Sequence, residues 1–459
     1  MTTNQPDSSQ WQRHADGESF LLALVDQVVS AMPSVRDLQS RMMLQCTTQL
    51  LDWLDHLVLS DTESVRARLA GLGFEPEMVE AEPGHSIYHH PGAAFPRLLL
   101  RRQATPPPET AVLAAAIRVD EISGFLCAQR VSAPIEGTVL GPYRRARIWQ
   151  ENDVEFLAVE RRGSRGFVPQ RMPPGHERVV LQSCERWMTR PRLFDSVREG
   201  MRWTLGLARS LAQDVGTDLA GWAFIEAEHA CWRQRNRAAQ VQKARQDSLG
   251  LGWANRDHCA FRSSREAYPL LIEILETLGF QPRERFYAGA EAGWGAQVME
   301  HHSCQFAVFA DVDLAPDEME GDFAHRQLPP RDDLGTIGIW CALHGDAMLA
   351  AGPHHFACRL DFDSAREGLL KEGIQAMRPF SDFPYLKQAF TKGERWAVPP
   401  RRLQRMVDSG QISEDQRQRF VDSGAVSSHL ELIQRCEGFK GFNQQTVSDI
   451  IRRTDPRAG

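Results

Sequence analysis

The feature that most constrains the fold is a weak repeat, in which a histidine on a short apolar segment precedes an amphipathic stretch. His56, His258 and His355 each head one copy. Every copy continues with a Ser-x-x-Glu sequence, which can cap the start of a helix, and closes with a glycine, which can end one. Pro269 lies inside the second copy and favours a helix start at that residue instead. The copies are residues 56–73, 258–279 and 355–373.

Strand, helix and glycine in this order, repeated along the chain, indicate βαβββ modules. Paired modules of this kind form a curved sheet with a cavity inside. We therefore predict an α+β fold, in which βαβββ modules build curved sheets and helical segments are added to them. The segment of residues 178–250 is helical in pattern and rich in Trp, Arg, Ala and Gln.

Changes in sequence texture divide the chain into five parts. The first and last parts are polar tails, and the second holds helices followed by a degenerate module. The third part is a helical connector, and the fourth is the candidate catalytic domain. Their predicted bounds are residues 1–17, 18–171, 172–250, 251–445 and 446–459.

Composition limits the partners that the protein can have. The net charge of −7 and the acidic sequence pI of about 6.1 argue against nucleic acid or an anionic membrane surface, which need basic protein surfaces. No apolar run is long enough to span a bilayer. The nine cysteines include no CxxC pair, which indicates reduced thiols. We expect a cytoplasmic protein with a small-molecule partner; the sequence predicts no oligomeric state.

Three side chains are the candidate metal ligands: His258, His355 and Glu431. Each of these histidines heads a repeat copy at the same point, as His56 does, whereas the other twelve histidines do not. Glu431 stands among apolar neighbours, and a carboxylate on a buried face needs a partner such as a cation. Two imidazoles and one carboxylate leave three positions of an octahedral ion open for a chelating substrate and O2. The alternative for each residue is an ordinary structural role.

Three short motifs carry a resemblance to a known family. The motifs are HCAFR at residues 258–262, GPHHFACR at residues 352–359 and SHLELIQR at residues 428–435. They resemble, in the same order, the ligand motifs of the 2-oxoadipate dioxygenase/decarboxylase family (2-hydroxyglutarate synthase), which belongs to the vicinal-oxygen-chelate superfamily. The last motif, with its trailing Gly-Phe pairs, also resembles the ligand strand of 4-hydroxyphenylpyruvate dioxygenase. The resemblance covers roughly the C-terminal half and implies Fe(II) and a 2-oxo acid decarboxylated with O2.

The motifs also depart from the family pattern at positions beside the cavity. Cys259 and Phe261 stand where the family has smaller or aliphatic residues, and Ala357 and Cys358 stand where it has Thr-Pro. These differences leave open whether the substrate is 2-oxoadipate itself.

Two arginines suggest a substrate with a second carboxylate. Arg262 and Arg359 each follow a ligand histidine by four residues, which on a strand means the same face and about 13 Å of distance. Guanidinium groups bind carboxylates with two parallel hydrogen bonds. The resemblance assigns this contact to Arg262, whereas for Arg359 a salt bridge to a local acid is an equal alternative. Lys387 and Gln388 are further candidates for substrate contacts, with a surface position as the alternative.

The N-terminal half resembles a degenerate copy of the C-terminal half. His56 matches His258 in position, and the strand around Glu155 resembles that around Glu431. No histidine occurs between Ile117 and Cys127, where the second ligand would stand. We therefore predict a structural partner module that binds no metal.

The sequence thus predicts a non-haem Fe(II)-dependent dioxygenase that oxidatively decarboxylates a 2-oxo acid, with the small-molecule acid and O2 as its partners. Two alternatives remain open at this point. One is another metalloenzyme on the same scaffold, either an extradiol dioxygenase or an isomerase or lyase. The other is a non-catalytic metal- or ligand-binding protein.

Overall fold

Two mixed β-sheets organise the computed structural model, which describes residues 11–104, 110–443 and 455–458. The first sheet has strand order β2-β3-β4-β1-β5-β7-β6 and the second β13-β14-β17-β12-β8-β11-β10-β9. The strands of the first sheet are β1 (Leu54–Ser60), β2 (Glu75–Glu77), β3 (His85–His89), β4 (Arg97–Arg101), β5 (Val112–Arg118), β6 (Tyr143–Glu151) and β7 (Val154–Arg161). Those of the second are β8 (Arg256–Arg262), β9 (Gln281–Tyr287), β10 (Trp294–His301), β11 (Phe306–Asp313), β12 (His355–Arg359), β13 (Ser381–Phe383), β14 (Leu386–Phe390) and β17 (His429–Arg435). A separate two-stranded antiparallel sheet pairs β15 (Arg395–Trp396) with β16 (Ala425–Val426).

Helices precede, connect and cover the sheets. Two of them come before the first sheet, and four form the segment between the sheets. The helices are α1 (Ala15–Ala31), α2 (Pro33–Arg41), α3 (Glu63–Gly71), α4 (Ile122–Gln129), α5 (His176–Met188), α6 (Val197–Val215), α7 (Thr217–Gln234), α8 (Arg237–Asp247), α9 (Tyr268–Thr277), α10 (Thr336–His344), α11 (Phe362–Lys371), α12 (Pro400–Asp408) and α13 (Glu414–Ser423).

Each sheet contains two modules, and in each module the last strand runs parallel to the first. The parallel pairs are β1 with β4, β5 with β7, β8 with β11, and β12 with β17. Three modules have the order βαβββ; the second, from β5 to β7, has one strand fewer. Helices α12 and α13 and the two-stranded sheet are inserted in the fourth. The curved sheets and the strand order confirm the predicted α+β fold of βαβββ modules.

The predicted capping boxes are wrong in position, although the helices and their terminal glycines are present. The caps of α3 and α11 are Thr62 and Asp361. Each of these side chains accepts a hydrogen bond from the backbone N–H group three residues further along the chain. Helix α9 begins at Tyr268 with a proline in its first turn, as the alternative start predicted. Gly73, Gly279 and Gly373 have φ values of 82°, 88° and 75°, the left-handed conformation that ends a helix.

Aromatic and aliphatic side chains bury the outer face of each sheet beneath helices. Leu21 and Val28 of α1 pack with Trp53 and Leu57 against the first sheet. On the second sheet, Phe224 of α7 contacts the rings of Phe261 and Phe280. The inner face of the first sheet also carries apolar side chains, among them Val58, Leu99 and Ala114, which line one cavity together with His56.

Part of each predicted tail lies within the described residues. Residues 15–17 of the predicted N-terminal tail belong to α1, and residues 1–10 lie outside the described residues. At the other end, Asp455 accepts a hydrogen bond from Thr336 at 3.1 Å, which ties residues 455–458 to the start of α10. Within the described part of the chain, no single helix has the length and apolarity to cross a bilayer; only the bent pair of residues 15–31 and 33–46 meets that test jointly.

Candidate metal centre

Three donor side chains meet on neighbouring strands of the second sheet. His258 lies on β8, His355 on β12 and Glu431 on β17. One ligand atom of each lies within 4.8 Å of the other two, and all three residues are buried. Glu431 Oε2 is 3.2 Å from His258 Nε2 and 3.1 Å from His355 Nε2. The structure thus brings together the two imidazoles and the carboxylate predicted as ligands.

The state of His355 favours an ion at this place. Both of its ring nitrogens are buried, and neither makes a hydrogen bond within the described residues. Burial, followed by the charge of His258, holds the pKa of His355 well below its ordinary value, so the imidazole is neutral. Buried polar atoms are normally hydrogen-bonded, and neutral imidazole is the form that binds metals. A divalent cation between His355 and Glu431 would supply the missing partner.

A β-bulge places Asp257 beside His258. The register between β8 and β12 shifts here, so both neighbouring side chains project toward the same side. Asp257 Oδ1 accepts from His258 Nδ1 at 2.9 Å, which directs Nε2 toward Glu431. Arg435 donates to both Asp257 oxygens at 2.9 Å, and Arg359 Nε donates to one at 3.0 Å. A carboxylate bonded to the second ring nitrogen orients a ligand histidine and makes it a stronger donor.

The charges around this pair keep the carboxylate ionised. Burial alone would raise the pKa of Asp257, but Arg435, His258 and Arg359 together hold this pKa well below its usual range. Burial lowers the pKa of His258, whereas Glu431 and Asp257 raise it and prevail. A cation in the centre would replace the extra proton that this arrangement favours on His258.

Gln388 fixes the orientation of the glutamate. Its Nε2 donates to Glu431 Oε1 at 2.8 Å from the adjacent strand β14. The other oxygen, Oε2, is the one that approaches both histidines. The predicted candidate Gln388 therefore contacts a donor residue rather than the protein surface.

Arg262 is a buried residue at the end of β8. It lies two residues after Ala260 and therefore on the same, inner face of the sheet. Its Nε and Nη1 have no hydrogen-bond partner in the described part of the chain. The guanidinium lies over the ring of Trp340 at 5.4 Å. Asp311, its neighbour on β11, also has a buried oxygen without a partner, and burial raises the pKa of this carboxyl to about 8. An unsatisfied buried guanidinium is the group expected where a substrate carboxylate binds.

Two more histidines complete a polar cluster around the donors. His354 Nε2 and His429 Nε2 are buried without partners, while their Nδ1 atoms contact backbone carbonyls at 2.8 and 2.7 Å. Burial lowers the pKa of both rings, and the charge of Arg262 lowers these pKa values further. We call Arg262, Asp311, His354 and His429 the polar cluster.

Asp311, His354 and His429 were not among the site residues predicted from the sequence. One signal could have found Asp311. It is an acid in the wholly buried strand β11, the same pattern that singled out Glu431.

The other two candidates lie elsewhere. Arg359 donates to Asp257, and its side chain is 32% exposed, so its guanidinium is not free to clamp a substrate at the centre. The acid that it binds is turned toward it by the bulge, which the sequence does not reveal. Lys387 Nζ donates to Asp363 at 2.8 Å, because residues adjacent to the inward-facing Gln388 face outward.

The first sheet repeats the framework of the centre without its donors. Asp55 Oδ2 contacts His56 Nδ1 at 2.7 Å, and Arg161 binds both Asp55 oxygens. Counting back four residues from Arg161, as from Arg435 to Glu431, gives Leu157, not Glu155. The strand pairing likewise places Ala114 where the second sheet has His355. Glu155, which the sequence matched to Glu431, instead pairs with Arg147 and Arg101.

Comparison with known proteins gives only weak likenesses. No protein-family profile and no curated protein matches the sequence. A triple mutant of 4-hydroxymandelate synthase from Streptomyces coelicolor has a TM-score of 0.27 and 13% identity, over 88% of this chain and 97% of that one. A xylose isomerase-like TIM barrel/4-hydroxyphenylpyruvate dioxygenase fusion protein has a TM-score of 0.23 and 12% identity, over 88% and 52%. Methylmalonyl-CoA epimerase from Mycobacterium tuberculosis has a TM-score of 0.23 and 14% identity, over 39% of this chain and 87% of that one.

These TM-scores are too low to support an assignment, whereas the strand order and the side chains of the centre are direct observations of this chain. The resemblance to the 2-oxoadipate dioxygenase/decarboxylase family stays a prediction.

Proposed function

We propose that the protein is a non-haem Fe(II)-dependent dioxygenase that oxidatively decarboxylates a 2-oxo acid. The convergence of His258, His355 and Glu431 carries the proposal. Two imidazoles and one carboxylate on one side of an octahedral ion are the ligand set of non-haem Fe(II) oxygenases, which keep the remaining positions open. The ion, when bound, supplies the Lewis acidity and the O2 chemistry that no side chain of the protein provides.

The chain itself contributes ligand geometry. Asp257 holds His258 with Nε2 toward the centre, and Gln388 holds Glu431 through the oxygen that faces away from the histidines. Both contacts fix a donor before any ion binds. This arrangement reduces the reorganisation that metal binding would otherwise require.

The polar cluster supports an acidic substrate. Arg262 offers two unpartnered nitrogen atoms, and the neutral rings of His354 and His429 each offer one. We assign Arg262 to a second, remote carboxylate of the substrate, in keeping with a 2-oxoadipate-like acid. Asp311, whose pKa of about 8 keeps it protonated at neutral pH, can donate a hydrogen bond to the same part of the substrate.

Aromatic rings keep water from the centre. Phe309 and Phe442 lie 5.2 and 4.9 Å from the His258 ring, and Phe390 lies 5.1 Å from the His355 ring. A dry environment strengthens the electrostatic contacts between the protein and an anionic substrate. It also limits side reactions of the activated oxygen.

O2 uptake tests the proposal directly. Protein reconstituted with Fe(II) under anaerobic conditions is mixed with O2 and a panel of dicarboxylic, aromatic and branched 2-oxo acids. We expect uptake that needs both Fe(II) and one 2-oxo acid, with an equal amount of CO2 released. Arg262→Ala should mainly raise the KM of a dicarboxylic substrate, since it removes a contact with the substrate and leaves the three metal ligands in place.

Other outcomes would point to the alternatives. Uptake with catechols and no CO2 would indicate an extradiol dioxygenase. Turnover with Zn(II), Ni(II) or Co(II) and without O2 would indicate an isomerase or lyase. Tight binding of metal and acid without turnover would indicate a binding protein.

A further inference from the structure

A cavity of about 470 Å³ lies between the two sheets, where segments of both halves of the chain face each other. None of the three metal donors lines it, although Asp257 and Phe442, which contact His258, form part of its wall. Its volume is within the usual range for small-molecule sites, about 300–1,000 Å³. Its lining holds eight Arg and Lys side chains and five Asp and Glu side chains, so cationic groups outnumber anionic ones.

Arginines outnumber the carboxylates that they bind at this cavity. Each of two carboxylates is shared by two guanidinium groups, which leaves one positive charge in excess at each place. The groups are Asp257 with Arg359 and Arg435, and Glu77 with Arg97 and Arg165.

Arg118, at the end of β5, has no carboxylate partner among the described residues. Its hydrogen bond there is a long one, from Nη1 to the carbonyl of Cys304 at 3.4 Å. By strand pairing it occupies the position of Arg359 in the other half, but Arg161 alone binds Asp55 through both oxygens. Burial, and then the charge of Arg256, lower the pKa of Arg118 to about 10. The cavity thus holds a guanidinium whose charge is not compensated.

Arg256, at the start of β8, lines the same cavity from the other half of the chain. Its side chain is only 8% exposed, and Nη2 donates to Glu226 at 2.5 Å. Its Nη1 is buried without a hydrogen-bond partner in the described part of the chain. A buried charged donor without a partner costs free energy, and an anion in the cavity would remove this cost.

Two acids in the lining oppose this excess only in part. Burial raises the pKa of Asp52 to about 6, and burial also raises the pKa of Glu18. Both carboxyls therefore hold a proton more readily than free ones do. The remaining lining acids, Asp55, Asp257 and Glu300, are already paired with cations.

We propose that this cavity binds a small organic anion with two or more carboxylate or phosphate groups, held between Arg118 of one half and Arg256 of the other. Guanidinium groups bind both kinds of oxyanion with paired hydrogen bonds. Because the two arginines come from different sheets, the anion joins the halves across the cavity. This site is separate from the proposed metal centre and does not depend on its activity.

Calorimetric titration of the full-length protein tests the site, with tricarballylate and pyrophosphate as probes and acetate as the monoanion control. We expect one polyanion to bind with a stoichiometry of one per chain, and acetate to bind far more weakly. Arg118→Ala should weaken binding at least about tenfold, the equivalent of one charge-assisted hydrogen bond. Arg186→Ala, which removes an exposed arginine paired with Asp214, should leave binding unchanged.

Two further variants complete the test. Ala94→Glu places a carboxylate at a half-buried position of the lining and should also weaken binding, so the test does not depend on the folding of one variant. His355→Ala should bind the anion as wild type does, since the donors lie outside the cavity. Absence of binding by both polyanions, wild-type binding by Arg118→Ala and Ala94→Glu, or loss of binding in His355→Ala would each overturn the proposal.

Discussion

The two sheets share a framework of one aspartate, one histidine and one arginine, but only the second sheet adds the other donors. Asp55 and Asp257 each follow a register shift in their strand pairing, bind the next histidine and are clamped by an arginine. In the first sheet, Ala114 and Leu157 stand where the second has a histidine and a glutamate.

This comparison separates structure from function. The buried Asp–Arg pair ties the first strand of one module to the last strand of the next in both sheets, whether or not an ion can bind. In both sheets the arginine outweighs burial and holds the pKa of the aspartate well below its ordinary range. The pair is therefore part of the fold, and the donors on β12 and β17 are what make a metal centre.

The largest difference is expected between His258→Ala and His56→Ala. The first variant removes one of the three metal ligands, so metal affinity and turnover should each fall by more than about 100-fold. This exceeds the effect expected for a residue that only hydrogen-bonds to a ligand. The second removes the equivalent histidine of the first sheet and should retain both. Bound iron per chain and O2 uptake measure the two effects. Loss of metal in His56→Ala, with its fold intact, would contradict the comparison.

Asp257→Asn and Asp55→Asn should also differ in metal affinity, by less than the two histidine variants do. Each breaks a buried ion pair and should lower the free energy of unfolding by about 3–5 kcal/mol. Only Asp257→Asn should also weaken metal binding, by about 10–100-fold, because its amide orients His258 less well. Metal titration and denaturant unfolding of both variants separate the two contributions.

The same pairs have a pH dependence of known sign. The folded-state pKa of each aspartate lies below the unfolded value, so the stabilisation is complete above the unfolded pKa and is lost as pH falls through the folded one. In the Asn variants this part of the acid destabilisation should be absent. Unfolding free energies of wild type and variants from neutral to acidic pH would show it, and parallel curves would contradict it.

Gln388→Leu should have a smaller effect, with Lys387→Ala as the matched control on the same strand. The first variant leaves Glu431 Oε1 without its donor and should weaken metal binding about tenfold, the lower end for residues that orient ligands. The second removes an outward-facing side chain paired with Asp363 and should leave metal affinity unchanged. Equal affinities for the two variants would mean that Gln388 does not fix the glutamate.

Particular residues show how far the sequence could predict this structure. The repeated histidine, helix and glycine predicted the modules, because hydrophobic period and terminal glycines are local features. The three donors were predicted because each combined a module position with a chemical type unusual for a buried strand. Register was the limit: a bulge on β8 turned Asp257 toward Arg359, which binds this acid instead of a substrate, and a two-residue offset separated Glu155 from the position of Glu431. The members of the polar cluster come from segments far apart in the sequence, so no local sequence pattern connects them.

The smallest effect, and the sharpest test of the comparison, is expected from adding the missing donors to the first sheet. The double variant Ala114→His, Leu157→Glu would place an imidazole and a carboxylate beside His56, which Asp55 already orients. Ala114 and Leu157 both line a cavity of about 160 Å³ together with His56, so a small ion has room. Three arginines of that cavity, at positions 101, 145 and 147, are paired with three glutamates of the same lining, at positions 82, 136 and 155. The lining therefore has no excess negative charge to attract a cation, and we expect a second metal ion that binds more weakly than the first. Metal stoichiometry in the double variant, with His258→Ala added to remove the first centre, measures this site alone. If no ion binds although the fold is retained, then the framework of the first sheet has diverged in geometry as well as in its donors.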